Sequence, residues 1–362
     1  MPLQTSKSWF HAPKNALRPL FVNSTSVILG LLTLSGCAAS FQPMEAATTS
    51  PVMTADAIIA ADGYRLPLRR WTPTQSPRGV ILALHGFNDY ANAFEGPGGW
   101  LAEHGFQVYA YDQRGFGATS SPGVWSDTET MVADLDAAAG LIQANHPQTP
   151  FYLLGESMGG AVVIAALTSA YAERSPSWST TYLGPPPLSS ERVAGVILSA
   201  PAVWGRKAMA LLPRLALWIA YNFVPGMELV APKELKIRPS DNIEMLRALG
   251  RDPLILKETR VDAMHGLVDL MGVALEAAPR FNRRSLILYG AHEEVLPPAP
   301  IVRFLNTLPK QSRAESQRTV VTYPNGWHML MRDLQADVVL HDLLSWLTQP
   351  DRSLPSLSRG HV

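Results

Sequence analysis

The stretch that most restricts the fold of this chain is an apolar, strand-like run that leads directly into a Gly-x-Ser-x-Gly motif. Residues 151–154 are apolar, and an apolar, helix-favouring run follows from 161 to 172. Between a buried strand and a helix, this motif is typical of a nucleophile elbow, in which the serine occupies a sharp, strained turn. The sequence therefore predicts that the Ser157 hydroxyl points out of the C-terminal edge of a sheet. The Met158 amide, at the start of the helix, is then a candidate donor to an oxyanion.

Composition narrows the class of protein further. The 362 residues, 47% of them hydrophobic, are enough for a large core, and α/β folds of this size often form one unit. Basic and acidic residues balance at 30 each without a long basic run, so nucleic acid is not an expected partner. Cys37 is the only cysteine, which excludes an intramolecular disulfide. No Cys/His metal pattern is present in the sequence, and we expect neither a metal nor another cofactor.

The N-terminus has the pattern of a targeting segment. In residues 1–36, basic residues precede an apolar run at 27–34 that is too short to span a bilayer. The run ends in Leu34-Ser35-Gly36-Cys37, which resembles the lipobox of bacterial lipoproteins, where the cysteine carries diacylglycerol. An ordinary signal peptide followed by an unmodified cysteine is the alternative. Ala38 instead of aspartate follows the cysteine, so resemblance to enterobacterial sorting predicts a lipid-anchored outer-membrane protein facing the periplasm.

The remaining pattern predicts an α/β fold: a mostly parallel, eight-stranded sheet flanked by helices. A hairpin with an Asp62-Gly63 turn opens the core, and short, continuously apolar runs supply the other strands. Strand-like runs then disappear, which predicts a helical cap inserted after the sixth strand. The predicted boundaries are 1–36 for a lipoprotein signal peptide, 37–54 for a flexible tether, 55–201 and 285–349 for the core, 202–284 for the cap and 350–362 for a disordered tail.

The predicted cap is rich in large apolar side chains. They favour packing of the cap onto the core, with an acyl-binding or membrane-facing patch as the other interpretation. The residues concerned are Trp204, Met209, Leu211, Leu212, Leu215, Trp218, Ile219 and Phe223.

A nucleophilic serine needs an imidazole that accepts its proton and a carboxylate that orients the imidazole. In the chain order Ser, acid, His, both partners follow Ser157 on loops after later strands. His328 lies five residues beyond the last predicted strand and is the candidate base. The loop after Gly290 offers two candidate acids, Glu293 and Glu294.

A second oxyanion donor is expected at the end of the first parallel strand. The run 79–84 ends in His85-Gly86-Phe87, and a flexible turn there can direct the Phe87 amide into the site. We predict that His85 itself is a structural histidine that binds the backbone of its loop.

Several motifs together resemble the monoacylglycerol lipase and lysophospholipase branch of the α/β hydrolases, the serine-aminopeptidase-like Hydrolase_4 group. The resemblance covers roughly residues 56–348, the predicted cap included. In this family the acid motif is similar to Gly-x-x-Asp-x-φ-φ-Pro, where φ is apolar. Its aspartate position falls on Glu293, and Glu294 remains the alternative. The motifs are His85-Gly86-Phe87, Asp112-Gln113-Arg114-Gly115-Phe116-Gly117, Gly155-Glu156-Ser157-Met158-Gly159-Gly160, Ser199-Ala200-Pro201, Gly290-Ala291-His292-Glu293-Glu294-Val295-Leu296-Pro297 and Gly326-Trp327-His328.

The resemblance implies a serine hydrolase that cleaves lipophilic carboxylic esters, of the monoacylglycerol or lysophospholipid type, through an acyl-enzyme on Ser157. The expected partners are a lipid or ester small molecule and a membrane reached through the lipid anchor; the oligomeric state is left open. The alternatives within the fold are a general carboxylesterase, an acyltransferase and a peptidase. A catalytically silent envelope lipoprotein is the alternative from another class, because the acid loop departs from the family pattern.

Overall fold

A mostly parallel sheet forms the centre of the protein. The computed structural model describes residues 39–168, 192–230, 237–310, 318–349 and 352–358. In these ranges the strands are β1 (Val52–Met53), β2 (Ala57–Ile59), β3 (Arg65–Trp71), β4 (Gly79–Leu84), β5 (Phe106–Tyr111), β6 (Phe151–Glu156), β7 (Gly195–Ser199), β8 (Glu228–Val230), β9 (Glu258–Arg260), β10 (Ser285–Gly290) and β11 (Arg318–Tyr323).

The strand order confirms the predicted α/β fold. Within the described residues the main sheet has nine strands in the order β1-β2-β3-β5-β4-β6-β7-β10-β11. The six strands from β5 to β11 in this order are parallel, and β1, β2 and β3 are antiparallel. The ninth strand, β1, was not expected. It has only two residues, too few to show a pattern, and it pairs with β2.

Helices cover both faces of the sheet. They are needed on both because successive side chains of a strand point to opposite faces. In β4, Val80 and Leu82 contact one apolar cluster, whereas Ile81 and Ala83 contact a second. Helices α2, α3, α6 and α7 pack in the first cluster, and α1 and α8 in the second. The helices are α1 (Glu95–Glu103), α2 (Thr128–Asn145), α3 (Met158–Leu167), α4 (Leu211–Phe223), α5 (Ile243–Arg251), α6 (Val261–Ala277), α7 (Pro298–Thr307), α8 (Ala336–Thr348) and α9 (Pro355–Ser358).

The insertion between β7 and β10 differs from the all-helical cap that the sequence predicts. Its described part contains α4, α5 and α6, and also a small antiparallel sheet formed by β8 and β9. Helix α6 is largely buried and belongs to the same apolar cluster as α3, whereas no residue of α4 is buried. The insertion therefore has one helix integrated into the core and another that lies at the surface.

The segment predicted as a flexible tether is ordered against the core where the structure describes it. The Gln42 amide donates to Trp125 O at 2.9 Å and the Thr48 amide to Ala61 O at 2.8 Å. Ser40 N–H donates to Asp262 Oδ2 at 3.0 Å. A polar, small-residue composition predicted flexibility, but here backbone amides find acceptors on the folded surface. Cys37 and the predicted signal peptide, 1–36, lie outside the described residues.

The predicted disordered tail also differs from expectation in its described part, 352–358. Leu354 is 2% exposed and α9 packs near α8. The Ser356 amide donates to Asp342 Oδ1 at 3.0 Å. One buried leucine and one buried carboxylate thus hold a segment whose composition alone indicated disorder.

Candidate active site

The turn at Ser157 has the geometry of a nucleophile elbow. The residue has φ 53° and ψ −114°, a strained conformation for a side chain with a Cβ atom, between β6 and α3. Its amide donates to Ser199 O at 2.9 Å, and its carbonyl accepts the amide of Ala202 at 2.9 Å. The loop after β7 thus holds the strained turn from both sides. Ser157 is half-buried, whereas its neighbours from 151 to 160 are buried.

Close packing explains both glycines of the elbow. A Cβ atom on Gly159 would lie 2.2 Å from the carbonyl oxygen of Leu84, at the end of β4. A Cβ atom on Gly155 would lie 2.5 Å from Gly160 Cα. No side chain fits at either distance, so the turn can form only where the two positions are glycine.

A glutamate and a histidine meet at the neighbouring strand ends. His328 Nδ1 lies 2.7 Å from Glu293 Oε2, and both side chains are buried. The other oxygen of the carboxylate, Oε1, accepts the amides of Val295 at 2.7 Å and Leu296 at 3.0 Å. These bonds show how the loop accommodates a side chain longer than aspartate. Glu294 is exposed, and its carboxylate accepts the amide of Arg238 at 2.7 Å.

The electrostatics of this pair suit an oriented base. Burial raises the pKa of Glu293, but the hydrogen bond from His328 and the two backbone amides outweigh burial, so that its pKa is lowered. A carboxylate that accepts a hydrogen bond from Nδ1 requires the proton on that nitrogen. In the neutral ring, Nε2 is then unprotonated. Nε2 is then the atom that can accept a proton from a serine.

The predicted oxyanion donors lie next to the serine. A Cβ atom on Gly86 would be 3.3 Å from Ser157 Cβ, which places the residue before Phe87 against the elbow. Met158 is the first residue of α3. Among the described residues, neither the Phe87 amide nor the Met158 amide donates to another protein group. Both amides thus remain available for a ligand oxygen.

His85 has the geometry of the structural histidine that the sequence predicts. Nε2 of the buried ring accepts a hydrogen bond from the Gln113 amide at 3.0 Å. Nδ1 therefore carries the proton and donates to Gly86 O at 2.8 Å. Burial lowers the pKa of His85, which keeps the ring neutral. The ring therefore supports the shape of the loop before Phe87.

Ser157 and His328 both open into one large cavity of about 720 Å³. Side chains from β8, α4 and α6 form most of its wall, together with the two loops that follow β10 and β11. The wall is almost entirely apolar. The apolar lining residues are Phe87, Ala202, Trp204, Met209, Pro213, Ala216, Leu217, Ala220, Met227, Leu229, Pro239, Val261, Met264, Leu267, Val268, Met271, Val295, Leu296 and Met329.

The sequence did not reveal one charged group of this site. Arg332 lines the cavity and pairs with Asp89 and Glu156. Its only signal in the sequence is a charge four residues after His328, directly after three apolar residues. Pairing with Glu156, which directly precedes Ser157, depends on contacts between distant loops and has no local pattern.

Two properties of the described residues complete the description of the site. In those parts of the chain no cluster of histidine, cysteine, aspartate and glutamate is arranged to hold a metal ion. None of the helices described is both long and apolar enough to cross a membrane.

The mostly parallel sheet, the elbow and the glutamate–histidine pair define the class as an α/β hydrolase with a serine at the elbow. The family model Hydrolase_4, described as serine aminopeptidase S33, matches residues 75–335, and the chain belongs to this family. The resemblance inferred from the motifs is therefore confirmed at the level of the family.

Curated relatives and solved structures agree with the family. The chain is 25% identical over 297 residues to a monoacylglycerol lipase of Mycolicibacterium smegmatis, covering 79% of this chain and 93% of the relative. It is 26% identical to a monoglyceride lipase of Rattus norvegicus, with coverages of 80% and 89%. A crystal structure of a soluble variant of monoglyceride lipase from Saccharomyces cerevisiae superposes with a TM-score of 0.63 at 19% identity, covering 83% and 98%. The family and the relatives support ester hydrolysis by a serine hydrolase of this fold.

Proposed function

We propose that the protein hydrolyses monoacylglycerols or closely similar neutral, lipophilic esters. The observation that carries the proposal is the opening of Ser157 and His328 into an apolar cavity of about 720 Å³. Its size falls in the range of about 300–1,000 Å³ that is usual for small-molecule sites. A wall almost without polar groups favours an alkyl chain over a peptide, whose amides would be buried without partners. The monoacylglycerol lipases among the relatives support the same substrate class.

In this mechanism Ser157 Oγ attacks the ester carbonyl carbon and its proton passes to Nε2 of His328. Glu293 orients the ring and stabilises the imidazolium that forms. The carbonyl oxygen becomes an oxyanion, which the amides of Phe87 and Met158 stabilise. Loss of one such donor typically costs about 3–4 kcal/mol of transition-state stabilisation.

The second half of the reaction releases the products. The bond from the carbonyl carbon to the alcohol oxygen breaks, and His328 gives its proton to the departing alcohol. Water, deprotonated by His328, then attacks the ester of the acyl-enzyme and frees the fatty acid. The proton returns through His328 to Ser157 Oγ, so the enzyme regains its starting state.

The charges around the site favour a neutral head group. Asp89, Glu156 and Glu293 carry carboxylates, and Arg332 is the positive charge that pairs with the first two. An anionic phosphate head group close to Ser157 would be repelled by this excess of carboxylate. We therefore propose monoacylglycerols ahead of anionic lysophospholipids.

Labelling with a fluorophosphonate probe, combined with substrate profiling, tests the proposal. We expect Ser157 to be labelled, and labelling and ester hydrolysis to be lost in Ser157→Ala. A monoacylglycerol should have a higher kcat/KM than an anionic lysophospholipid with the same acyl chain or a short soluble ester. A preference for short esters would indicate a general carboxylesterase, amide cleavage a peptidase, and transfer to an added alcohol an acyltransferase. A folded wild-type protein that is not labelled would support the silent lipoprotein instead.

A second part of the proposal concerns the membrane. The lipobox-like sequence at Cys37 supports a diacylglycerol-modified cysteine and a location at the outer membrane facing the periplasm. Ser40, three residues later, bonds to Asp262, whose own amide donates to Pro225 O at 2.9 Å, just after α4. The first described residues, which follow Cys37 closely in the sequence, thus lie close to the end of α4.

The outer surface of α4 suits contact with a lipid bilayer. Its exposed side chains are large and apolar, among them Leu211 and Leu212 at 76% each and Phe223 at 68% exposed. We propose that this surface rests on the lipid bilayer, because a group of large exposed apolar side chains on one helix is typical of an interaction surface, unlike single scattered ones.

A palmitate-analogue label and cell fractionation test the anchor. We expect the label in the wild-type protein and its loss in Cys37→Ser, with movement of the protein from the membrane to the soluble fraction. An unlabelled wild-type protein in the soluble fraction would contradict the lipoprotein proposal without touching the ester hydrolase.

A further inference from the structure

A buried arginine connects three loops around the cavity. Arg332 Nη1 donates to Asp89 Oδ2 at 2.8 Å, and Nη2 donates to Glu156 Oε1 at 2.5 Å. Only 9% of the arginine side chain is exposed, and both carboxylates are buried. All three side chains line the wall of the cavity into which Ser157 opens. The cluster is therefore part of the site and distinct from the glutamate–histidine pair.

Each member of the cluster lies on a segment that carries a different group of the proposed mechanism: Glu156 ends β6, and the other two lie on loops. Glu156 directly precedes the serine, Asp89 lies two residues after the candidate oxyanion donor of its loop, and Arg332 lies four residues after the candidate base. A guanidinium presents its donors in a rigid, planar fork, so it can hold two carboxylates in one fixed arrangement. The relative positions of the three loops are thus coupled through a single side chain.

We propose that Arg332 is a positioning residue that keeps the nucleophile, the oxyanion donors and the base in register. This inference rests on the proposed function. It goes beyond it by assigning the alignment of the reacting groups to a residue that touches none of them. Alignment on this scale matters, since a displacement of about 1 Å can cost on the order of 100-fold in rate.

The charge balance argues against a role for Arg332 in binding a substrate anion. Both amino groups of the fork are engaged by Asp89 and Glu156, and the three side chains together carry one net negative charge. Burial works against the charged guanidinium, but the two carboxylates outweigh it and raise the pKa of Arg332. The arginine therefore stays charged and paired, as a link between loops requires.

The chain offers a matched control in a second buried arginine. Arg114 Nη1 donates to Asp62 Oδ2 at 2.7 Å and its Nε donates to Asp134 Oδ2 at 2.7 Å. It is as well buried as Arg332, but it connects the β2–β3 turn to α2 and does not line the cavity. Replacement of either arginine removes the same charge and two buried ion pairs.

The experiment compares Arg332→Met with Arg114→Met in the full chain, together with Arg332→Lys. Thermal unfolding, kcat and KM for one soluble ester, and the rate of Ser157 labelling by a fluorophosphonate are measured for each. We expect Arg332→Met to lower kcat and the labelling rate by on the order of 100-fold, with a much smaller change in KM. Arg332→Lys should recover part of the loss. Arg114→Met should destabilise the fold and leave kcat per labelled site near the wild-type value.

Equal effects of the two Met variants on stability, with kcat unchanged in both, would overturn the inference, because Arg332 would then be only structural. If Arg332→Met does not fold, Glu156→Gln and Asp89→Asn replace it, since they keep the shape and remove one charge each. A wild-type kcat in both of these variants would equally overturn the inference. Failure of the proposed function is seen separately, as absence of labelling in the wild-type protein.

Discussion

Two apolar helices, α3 and α4, differ in what their apolar residues face. Helix α3 follows the elbow and is buried almost throughout, with Val162, Val163 and Ile164 all at 0% exposure. Helix α4 has a comparable share of large apolar residues, yet none of its residues is buried. One side of α4 lines the cavity, and the other is open to the surroundings. Hydrophobicity in the sequence thus has two causes here: α3 packs in the core, whereas α4 has apolar side chains on the cavity wall and on the exposed surface.

The largest expected effect is on the stability of the fold. Val163→Asp buries an unpaired charge in α3, which costs several kcal/mol, and we expect the variant to be insoluble or unfolded. Leu212→Asp in α4 affects a side chain that is 76% exposed and should change the free energy of unfolding by less than about 0.5 kcal/mol. Thermal unfolding of the two variants measures both effects. Similar losses of stability would mean that α4 is packed against protein.

The next effect is on kcat, because the candidate catalytic groups lie at the elbow and on the core loops and not on α4. We expect Glu293→Ala to lower kcat on the order of 10³-fold for short and long esters alike, because the imidazole loses its orientation. Glu294→Ala, one residue away but exposed, is the matched control and should change kcat little. Steady-state kinetics on two esters provide the measurement. Loss of activity in Glu294→Ala, with Glu293→Ala active, would transfer the role of the acid to Glu294.

A smaller effect should separate the two sides of α4. Ala220 lines the cavity, so Ala220→Trp shortens the space for an alkyl chain; overpacking of this kind costs about 1–3 kcal/mol. We expect kcat/KM for long-chain esters to fall by about 10-fold or more, with short-chain esters little affected. Leu212→Trp, on the exposed side, is the control. An unchanged chain-length profile in Ala220→Trp would show that the alkyl chain lies elsewhere.

The smallest effect tests the exposed side itself. Leu212→Asp should lower the hydrolysis of a monoacylglycerol in lipid vesicles by a few-fold, because favourable transfer of one leucine side chain into lipid is lost while the proposed lipid anchor remains. Hydrolysis of a water-soluble ester by the same variant should match the wild type. Equal rates on vesicles for the two proteins would contradict a bilayer at α4.

Local pattern accounts for what the sequence predicted well. The strands β4, β5, β6, β7 and β10 are short, mostly apolar runs, and β11 is rich in valine, threonine and tyrosine. The elbow between β6 and α3 packs so closely that it requires glycine at two positions, and the motif supplies both. The sequence also predicted that a glutamate after Gly290 and His328 come to one sheet edge, because the carboxyl ends of parallel strands meet there. Their hydrogen bond in the structure agrees with this expectation.

Tertiary contacts account for what the sequence did not predict. The choice between Glu293 and Glu294 depends on which side chain turns inward, and two neighbouring glutamates have no pattern that decides it. The difference between α4 and α6, both in the predicted cap, depends on which helix packs against α3. Asp89, Glu156 and Arg332 are far apart in the sequence and become a cluster only when the end of β6 and two loops come together. The anchor at Cys37 stays a prediction.

The way in which Glu293 is held affects how the chain tolerates mutation. One carboxylate oxygen is fixed by the main-chain amides of Val295 and Leu296, and every residue type except proline supplies such an amide. Side chains at 295 and 296 can therefore change without removing the bonds that hold the acid, provided that neither residue becomes proline. Robustness of this kind allows a lineage to replace aspartate by the longer glutamate and retain a usable acid through the change.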